Sequence, residues 1–233
     1  MTVGIMQPYF LPYIGYFQLI SAVDKFVIYD NIEFTKKGWI NRNRILVNGK
    51  DDYITLPLKK DSDFLNVNKR FLTESWNIDR IKILNRIKES YRKAAHFKEV
   101  FLLIEEIMLF NASNLFDFIF FSIQEVTKYL EINSSFIVSS SISIDHTLKS
   151  VQKVLAICKE LKAEKYINPI GGTELYNKET FQNSSIDLRF IKTNPILYKQ
   201  FSNEFVPWLS ILDVMMFNSR DKVRAYLNDY SLV

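Results

Sequence analysis

The sequence predicts an α/β fold with a mostly parallel sheet and an inserted block of helices. Short apolar segments alternate with segments of helical periodicity at both ends of the 233-residue chain, and residues 76–133 between them carry only helical patterns. Apolar residues make up 48% and charged residues 24% of the sequence, a balance typical of globular proteins with a packed core.

Two short apolar segments flank a helical pattern near the N-terminus. Residues 3–6 and 25–30 have the composition of buried strands, and residues 14–23 place Phe17 and Ile20 on one face of a helix. Two strands joined by one helix form a βαβ unit, whose crossover is right-handed in nearly all proteins. The pattern therefore predicts a Rossmann-like, mostly parallel sheet. Residues 44–47 and 53–56 then predict a hairpin, because the Asn-Gly dipeptide between them favours a tight turn.

Residues 76–133 are predicted to form a helical lobe. We expect Asn77 to cap its first helix and Ser113 to cap its last one. The middle helix, residues 97–110, is apolar around most of its circumference, which predicts a buried position rather than a solvated one. The first helix carries one apolar stripe, formed by Ile78, Ile81, Leu84, Ile87 and Tyr91.

The α/β alternation resumes after the helical lobe. No repeat or flexible linker interrupts the chain, so residues 1–233 are predicted to form a single α/β domain with residues 76–133 as an insertion. The predicted strands are residues 136–138, 165–169 and 186–191, and the predicted helices are residues 149–161, 209–217 and 223–227.

The composition excludes several classes of chemistry. The one cysteine, Cys158, cannot form an internal disulfide and lies on the apolar face of a predicted helix, where an inert thiol is expected. His96 and His146 are far apart in sequence, so no metal site is expected. No apolar stretch approaches the length of a transmembrane helix and no basic leader opens the chain, which predicts a cytoplasmic protein.

The first candidate site is the turn between the first strand and the first helix. It contains Gln7, Tyr9, Gly15 and Tyr16. Open α/β sheets bind ligands where strands end, and Gly15 permits a close approach at the start of the helix. The alternative is a rigid, aromatic-rich turn without a ligand.

The second candidate site is a basic segment beside the hairpin. Between Thr35 and Lys50 the sequence has five cationic residues and no carboxylate. Arg42 and Arg44 alternate with the period of a strand, so both point to one face, with Trp39 and Asn43 close by in sequence. Arginines bind phosphates in bidentate fashion and tryptophan covers a base or a sugar. The alternative is a solvated hairpin flank.

The third candidate site lies in the C-terminal third. Gly171 and Gly172 follow a predicted strand, in another position that favours ligands. Ser210 and Asp213 are three residues apart and share a face if they are helical. Helix capping and a satisfied polar contact are the alternative explanation for that pair.

Together these segments resemble the WbqC-like protein family, in order and over nearly the whole chain. The residues that carry the resemblance are Met6-Gln7-Pro8-Tyr9-Phe10, Pro12, Gly15-Tyr16-Phe17, Asp24, Asp30, Trp39 to Ile45, Tyr198, Gln200, Phe205, Pro207 and Leu209 to Asp213.

The resemblance implies a transferase of bacterial surface-polysaccharide (O-antigen) biosynthesis. Members of the family are similar to proteins encoded in bacterial surface-polysaccharide gene clusters, and the resemblance implies that the chain adds glycine or another aminoacyl group to the amine of an amino sugar. The implied partners are a nucleotide-linked amino sugar and an amino-acid or aminoacyl donor, with ATP as a candidate activator of the acid, and no nucleic acid is expected as a regulatory target. A protein that binds the nucleotide sugar without catalysis remains the alternative.

Chemistry assigns roles to these residues under that hypothesis. The expected diphosphate ligands are Arg42 and Arg44, with Trp39 stacking. A carboxylate of ordinary pKa is a poor base at neutral pH unless burial raises that pKa, so Asp30 or Asp213 is expected to act as the base or to orient the ammonium. The expected hydrogen-bond donors to an acyl oxyanion or to the sugar are the side chains of Tyr16, Tyr198 and Gln200 and the backbone around Gln7, Gly171 and Gly172.

Overall fold

The structure is a computed structural model that describes residues 1–62, 64–201 and 204–233. The strands within these ranges are β1 (Thr2–Met6), β2 (Lys25–Ile28), β3 (Arg42–Val47), β4 (Lys50–Thr55), β5 (Ser135–Val138), β6 (Lys165–Pro169), β7 (Asp187–Thr193) and β8 (Tyr230–Leu232). The helices are α1 (Ile14–Ser21), α2 (Trp76–Tyr91), α3 (Phe97–Leu109), α4 (Leu115–Tyr129), α5 (Ser150–Glu160), α6 (Lys178–Gln182), α7 (Ile211–Phe217) and α8 (Arg220–Tyr226).

Six strands form one sheet in the order β5-β2-β1-β6-β7-β8. The first five are parallel, and β8 joins the edge in antiparallel orientation. In chain order the parallel strands read third, second, first, fourth and fifth, which is the arrangement of a Rossmann-like sheet. The predicted α/β class and mostly parallel sheet are confirmed.

Helices cover both faces of the sheet because side chains alternate along each strand. On β2, Phe26 and Ile28 pack into the core that α1, the helical lobe and α7 build. Val27 between them packs into the second core, which is shared with α5 and α6. Cys158 of α5 is buried there, as predicted, and burial raises the pKa of its thiol to about 12.

The hairpin of β3 and β4 pairs outside the main sheet, with Asn48 and Gly49 at its turn as predicted. The helical lobe also stands where the sequence places it, in the long connection between β2 and β5. Its buried residues belong to the same hydrophobic core as those of α1 and α7. That the whole chain folds as a single domain stays a prediction.

One expectation for the helical lobe is met only in part, and two are wrong. Helix α3 is buried on one side only, because α2, α4 and α7 pack on that side and leave Leu102 and Leu109 exposed. Asn77 lies in the first turn of α2, which begins after Ser75 and has no side-chain cap. The cap of α4 is Asn114 rather than Ser113, since its Oδ1 accepts from the backbone of Phe116 at 2.8 Å.

None of the helices within the described ranges is both long and apolar enough to cross a membrane. Across the same residues, no three His, Cys, Asp or Glu side chains come together in a group suited to a metal ion.

Candidate functional site

A cavity of about 400 Å³ opens where β1 and β6 end side by side. The connections from these two strands run to opposite sides of the sheet, and ligands bind at this point in open α/β sheets. Its walls are largely apolar and aromatic. The lining residues are Met6, Tyr9, Pro12, Tyr13, Gly15, Tyr16, Trp39, Asn43, Arg44, Pro169, Ile170, Ile191, Lys192, Thr193 and Trp208.

The turn after β1 is held in place by the buried side chain of Asn43. Its Nδ2 donates to the carbonyls of Phe10 at 3.1 Å and Leu11 at 2.9 Å, while its Oδ1 accepts from the Arg44 backbone N–H at 2.8 Å. Leu11 has a φ of 41°, a conformation that non-glycine residues seldom adopt. The hairpin therefore fixes a strained turn whose aromatic residues face the cavity.

Gly15 lets the first turn of α1 lie against the end of β7. A Cβ atom on Gly15 would stand 2.6 Å from Oγ1 of Thr193. That hydroxyl donates to Oε1 of the buried Gln18 at 2.6 Å, and Gln18 Nε2 donates to the Tyr226 carbonyl at 2.8 Å. Packing therefore requires a glycine at position 15, and the same residue also lines the cavity.

Trp208 and Arg44 form the rim of the cavity. Trp208 has a φ of 61°, and its ring lies 5.2 Å from that of Tyr13 between centroids. Arg44 donates from Nη2 to the Trp208 carbonyl at 3.1 Å and from Nη1 to Asp51 at 3.0 Å. Its Nε is buried without a hydrogen-bond partner among the described residues. Asp51 thus offsets part of the positive charge that the basic segment carries.

Arg42 and Arg44 share one face of the hairpin, as the sequence predicts, but they are not equivalent. Arg44 lines the cavity and Arg42 does not. The Arg42 guanidinium lies 4.5 Å from the centre of the Tyr53 ring and donates to the backbone carbonyls of Lys37 and Gly38. Trp39 stacks on Tyr53 at 6.3 Å, and Arg44 lies 5.6 Å from the Trp39 ring.

The cavity contains two kinds of tyrosine. Tyr16 donates its one hydroxyl hydrogen to the Gln7 carbonyl at 2.9 Å, so Gln7 acts here through its backbone and supports the wall. Tyr9 and Tyr13 have hydroxyls without a protein hydrogen bond among the described residues. Burial raises the pKa of Tyr9, raises that of Tyr13 to about 12 and raises that of Tyr16 well above its usual value. All three are therefore neutral donors at pH 7.

Asp213 lies outside the cavity lining, at the centre of a buried polar cluster. Its carboxylate accepts from Tyr91 at 2.8 Å and from both Tyr198 and Gln200 at 2.7 Å. Burial raises the pKa of Asp213, and these three hydrogen bonds lower it in part. Tyr198 and Gln200 were expected to face a ligand, but their side chains donate hydrogen bonds to Asp213 instead. The cluster anchors the segment that leads to Trp208.

Asp30 is also remote from the cavity lining. It lies just after β2 and accepts from Ser139 Oγ at 2.8 Å, the Ser140 backbone N–H at 2.9 Å and Asn68 Nδ2 at 2.6 Å. Burial raises its pKa, but these hydrogen bonds outweigh burial and leave the pKa lowered. Asp30 thus remains ionised at neutral pH and joins β2, β5 and the turn at Asn68.

The remaining predicted residues border the cavity. Gly171 and Gly172 follow its wall residue Ile170, and a Cβ on Gly172 would stand 1.7 Å from Nδ2 of Asn168, whereas one on Gly171 meets open space. Ser210 is buried, caps α7 and donates from Oγ to the Leu11 carbonyl at 2.6 Å. It therefore holds the strained turn at the same Leu11 carbonyl that accepts from Asn43.

Three cavity residues, Ile191, Lys192 and Thr193, lie outside the segments that the sequence singles out. All three lie at the carboxyl end of β7, and that position is the signal that could have identified them, since such ends face the ligand crevice. Tyr13 and Trp208 lie within or beside those segments but are not among the predicted site residues. The structure brings these residues together with Tyr9, Gly15 and Arg44 around one cavity.

Sequence comparisons identify a family and a relative for this chain. The chain is 28% identical over 228 residues to the uncharacterized protein Rv1507c of Mycobacterium tuberculosis, an alignment that covers 97% of this chain and 96% of that protein. No solved structure matches the chain. The model of the WbqC-like protein family matches residues 7–225, which include the turn after β1, the hairpin and the Asp213 cluster. The chain therefore belongs to the WbqC-like protein family.

Proposed function

We propose that the protein is an aminoacyltransferase of surface-polysaccharide biosynthesis, and that its cavity holds the amino sugar of a nucleotide-linked substrate. The amine of that sugar would receive glycine or a similar aminoacyl group. The observation that supports this proposal is the composition of the cavity at the β1–β6 crevice. It combines aromatic walls with Arg44 and Lys192, and no acidic side chain belongs to its described lining.

Aromatic and cationic groups suit the two parts of such a ligand. Sugar rings and bases stack on aromatic faces, and arginine binds phosphate oxygens through parallel hydrogen bonds. Arg44 has an unpaired buried Nε and lies at the rim, with the exposed Lys192 also at the cavity. Asp51 neutralises only part of the positive charge at Arg44 and Lys192, and a bound diphosphate would neutralise the rest.

The proposed reaction forms an amide from an activated acid. The sugar ammonium first loses a proton to water, and the free amine then attacks the acyl carbon of an ester, thioester or anhydride donor. The new C–N bond replaces the bond to the activating group, which leaves with the electron pair while the nitrogen releases its second proton. The unpaired hydroxyls of Tyr9 and Tyr13 are the available donors to the acyl oxyanion.

Asp213 is proposed to act as a positioning residue. It makes no contribution to the described lining, but it holds Tyr198 and Gln200, and Gln200 in turn exchanges two hydrogen bonds with Val206 at 3.1 and 2.7 Å. These contacts fix the approach to Trp208. A general base is not required if water removes the proton, since an amine is partly deprotonated at neutral pH.

Product mass tests the proposal. Purified protein is incubated with a nucleotide-linked amino sugar, glycine and ATP, and in parallel with glycine presented as an activated ester. A glycyl adduct that is lost in Arg44→Ala and retained in Arg189→Ala supports the proposal, because Arg189 is also ion-paired but lies outside the cavity lining. No adduct from any donor, together with measurable nucleotide-sugar binding, would instead support the non-catalytic alternative.

The non-catalytic alternative has one observation in its favour. No His, Cys, Asp or Glu belongs to the described cavity lining, so a general base of the usual kinds does not face the ligand. Under that alternative the protein binds the nucleotide-linked sugar for a neighbouring enzyme of the same pathway.

A further inference from the structure

The hairpin carries a stack of rings and guanidinium groups that extends beyond the cavity. In spatial order it consists of Arg42, Tyr53, Trp39 and Arg44, with successive separations of 4.5, 6.3 and 5.6 Å. We name these four residues the hairpin stack. Trp39 and Arg44 line the cavity, whereas Arg42 and Tyr53 do not. The stack therefore runs from the cavity rim onto the outer surface.

Core packing does not account for the outer part of this stack. Trp39 and Tyr53 are each 39% exposed, although both are large aromatic residues. Their rings are close to parallel, with an interplanar angle of 26°. The Arg42 guanidinium is fixed over Tyr53 by its hydrogen bonds to the carbonyls of Lys37 and Gly38. The centroids of Trp39 and Tyr53 are 6.3 Å apart, too far for the two rings to cover each other face to face, so this rigid platform leaves part of the Tyr53 ring face open to solvent.

Such a platform suits a nucleobase. Bases stack on exposed aromatic rings, and the contact tolerates solvent because it depends on flat surfaces rather than on enclosed hydrogen bonds. Arginines beside the rings add cation–π and phosphate contacts. The two carboxylates that precede Tyr53 on β4 are engaged, since Asp51 pairs with Arg44 and Asp52 with Arg86.

The interior of the cavity suits the sugar instead. It has the hydroxyl oxygens of Tyr9 and Tyr13, which can accept hydrogen bonds from sugar hydroxyls, and aromatic walls on which a sugar ring can stack. Arg44 stands between the two regions and is the natural ligand of the diphosphate that connects a base to a sugar.

From this arrangement we infer that the nucleotide-linked sugar binds with its sugar inside the cavity and its base outside, on the hairpin stack, where Tyr53 is a base-stacking residue. The inference rests on the proposed function for the identity of the ligand and adds its orientation. It assigns Tyr53 and Tyr13 to opposite ends of one substrate, with the diphosphate at Arg44.

Two truncations test the orientation. Tyr53→Ala and Tyr13→Ala are titrated calorimetrically with uridine, thymidine and guanosine diphosphates, with the corresponding nucleotide-linked amino sugars, and with glucosamine 1-phosphate, which has no base. Tyr53→Ala is expected to lower the affinity for nucleoside diphosphates and nucleotide sugars about tenfold, and to leave the affinity for glucosamine 1-phosphate unchanged. Tyr13→Ala is expected to weaken binding of the ligands that contain the amino sugar, namely the nucleotide-linked amino sugars and glucosamine 1-phosphate, and to leave the nucleoside diphosphates unchanged.

Controls separate stacking from folding. Tyr53→Phe keeps the ring and is expected to restore wild-type affinity. Tyr129→Ala removes another partly buried tyrosine that lies under an arginine, Arg220 at 5.6 Å, on α4 rather than on the hairpin, and is expected to change no affinity. Melting temperatures of all variants show whether each protein is folded during the titrations.

The outcomes distinguish this inference from the proposed function. If Tyr53→Ala weakens glucosamine 1-phosphate as much as the nucleotides, or weakens neither, the orientation is wrong. If a glycyl product forms from a nucleotide sugar whose affinity does not change in Tyr53→Ala, the proposed function is supported and the inferred orientation is wrong. If no aminoacyl transfer occurs but Tyr53→Ala and Tyr13→Ala lower the affinities for different ligands as described, the inferred orientation is supported and the transferase assignment is wrong.

Discussion

Gly15 shows how a single residue sets the spacing between α1 and β7. A Cβ at this position would overlap Thr193 Oγ1, which is held by its hydrogen bond to Gln18. The threonine side chain is short and already bonded, so it cannot move aside without breaking that contact. The packing requirement therefore outweighs the gain in helix propensity that alanine normally brings over glycine.

Gly15→Ala is expected to lower the free energy of unfolding by about 1–3 kcal/mol, because overpacking displaces Thr193 at the cavity wall. Urea denaturation measures the change. Gly171→Ala is the matched control, since a Cβ there meets no atom within 4 Å, and it is expected to leave stability unchanged. Equal stabilities for the two variants would show that the close approach at Gly15 is not required.

Asp30 predicts a specific response to acid. Its pKa in the folded protein lies below the usual value of 3.8, because the hydrogen bonds from Ser139, Ser140 and Asn68 outweigh burial. The folded state therefore holds this proton less tightly than the unfolded chain. The carboxylate stabilises the fold above the unfolded pKa, and this contribution is lost as the pH falls through the folded pKa.

Asp30→Asn is expected to lower the free energy of unfolding at neutral pH by about 1–3 kcal/mol, since buried hydrogen bonds lose their ionised acceptor. The difference from the wild type should shrink as the pH falls below about 4. Urea denaturation across that range measures both effects, with the highly exposed Asp221→Asn as the control. If the free energy of unfolding of Asp30→Asn differs from that of the wild type by the same amount at every pH, the lowered pKa assigned to Asp30 is wrong.

The hairpin acts on the site through contacts that span separate elements. Asn43 on β3 holds the turn after β1, and Ser210 at the start of α7 holds the same turn through the Leu11 carbonyl. The Ser210 backbone N–H also donates to the Arg44 carbonyl at 2.9 Å. Turn, hairpin and helix thus fix one another. The strained backbone of Leu11 and Trp208 is tolerated because these contacts over-determine it.

Asn43→Ala is expected to lower stability by about 1–3 kcal/mol and to increase amide hydrogen exchange in residues 8–13, because two carbonyls lose a buried donor. Asn41→Ala is the matched control, since its Nδ2 bonds the Leu56 carbonyl at 2.9 Å on the hairpin itself. Exchange in residues 8–13 should not change in the control. Equal exchange in both variants would contradict the role of Asn43.

Asp51→Asn is expected to increase the affinity for nucleoside diphosphates several-fold at low salt, because it removes the carboxylate that pairs with Arg44. The gain should decline as salt is added, since screening weakens interactions between exposed charges. Calorimetric titration at two ionic strengths measures it. Lower affinity in Asp51→Asn would mean that this carboxylate orients Arg44 for the ligand and does not compete with it.

The helical lobe is tied to the rest of the fold by polar contacts as well as by its hydrophobic core. Tyr91 at the end of α2 donates to Asp213 on α7 and accepts from the Leu46 backbone N–H on β3 at 2.7 Å. The His96 backbone N–H donates to the Met216 carbonyl at 3.0 Å. A lobe joined in this way to two other elements is expected to unfold together with them.

Calorimetry of the intact chain is therefore expected to show one unfolding transition. Tyr91→Phe should shift that transition without splitting it, with a loss of about 2–3 kcal/mol because Leu46 N–H and Asp213 each lose a buried partner. Tyr129→Phe removes a hydroxyl that is less buried than that of Tyr91, and it should change the unfolding transition little. Two separate transitions would show that residues 76–133 fold as an independent unit.

Local pattern was sufficient for most of the elements, although it predicted neither α6 nor β8. The alternation of apolar runs with helical periodicity predicted the parallel sheet, the hairpin and the helical lobe, because backbone conformation and the choice of a buried face depend on residues close in sequence. The errors at Asn77 and Ser113 are of the same local kind, since several polar residues compete to cap each helix. The unexpected exposure on α3 has a different origin, because it depends on how α2, α4 and α7 pack against this helix in three dimensions.

The sequence by itself thus determined the fold class and the segments in which a site would form. Only the tertiary structure decided which polar groups face the cavity. Tyr16 and Tyr198 donate their hydroxyl hydrogens to Gln7 and Asp213, whereas Lys192 lines the same cavity as the turn after β1. The physical reason is that each donor hydrogen satisfies one partner, and the partner that it finds on folding can lie more than a hundred residues away.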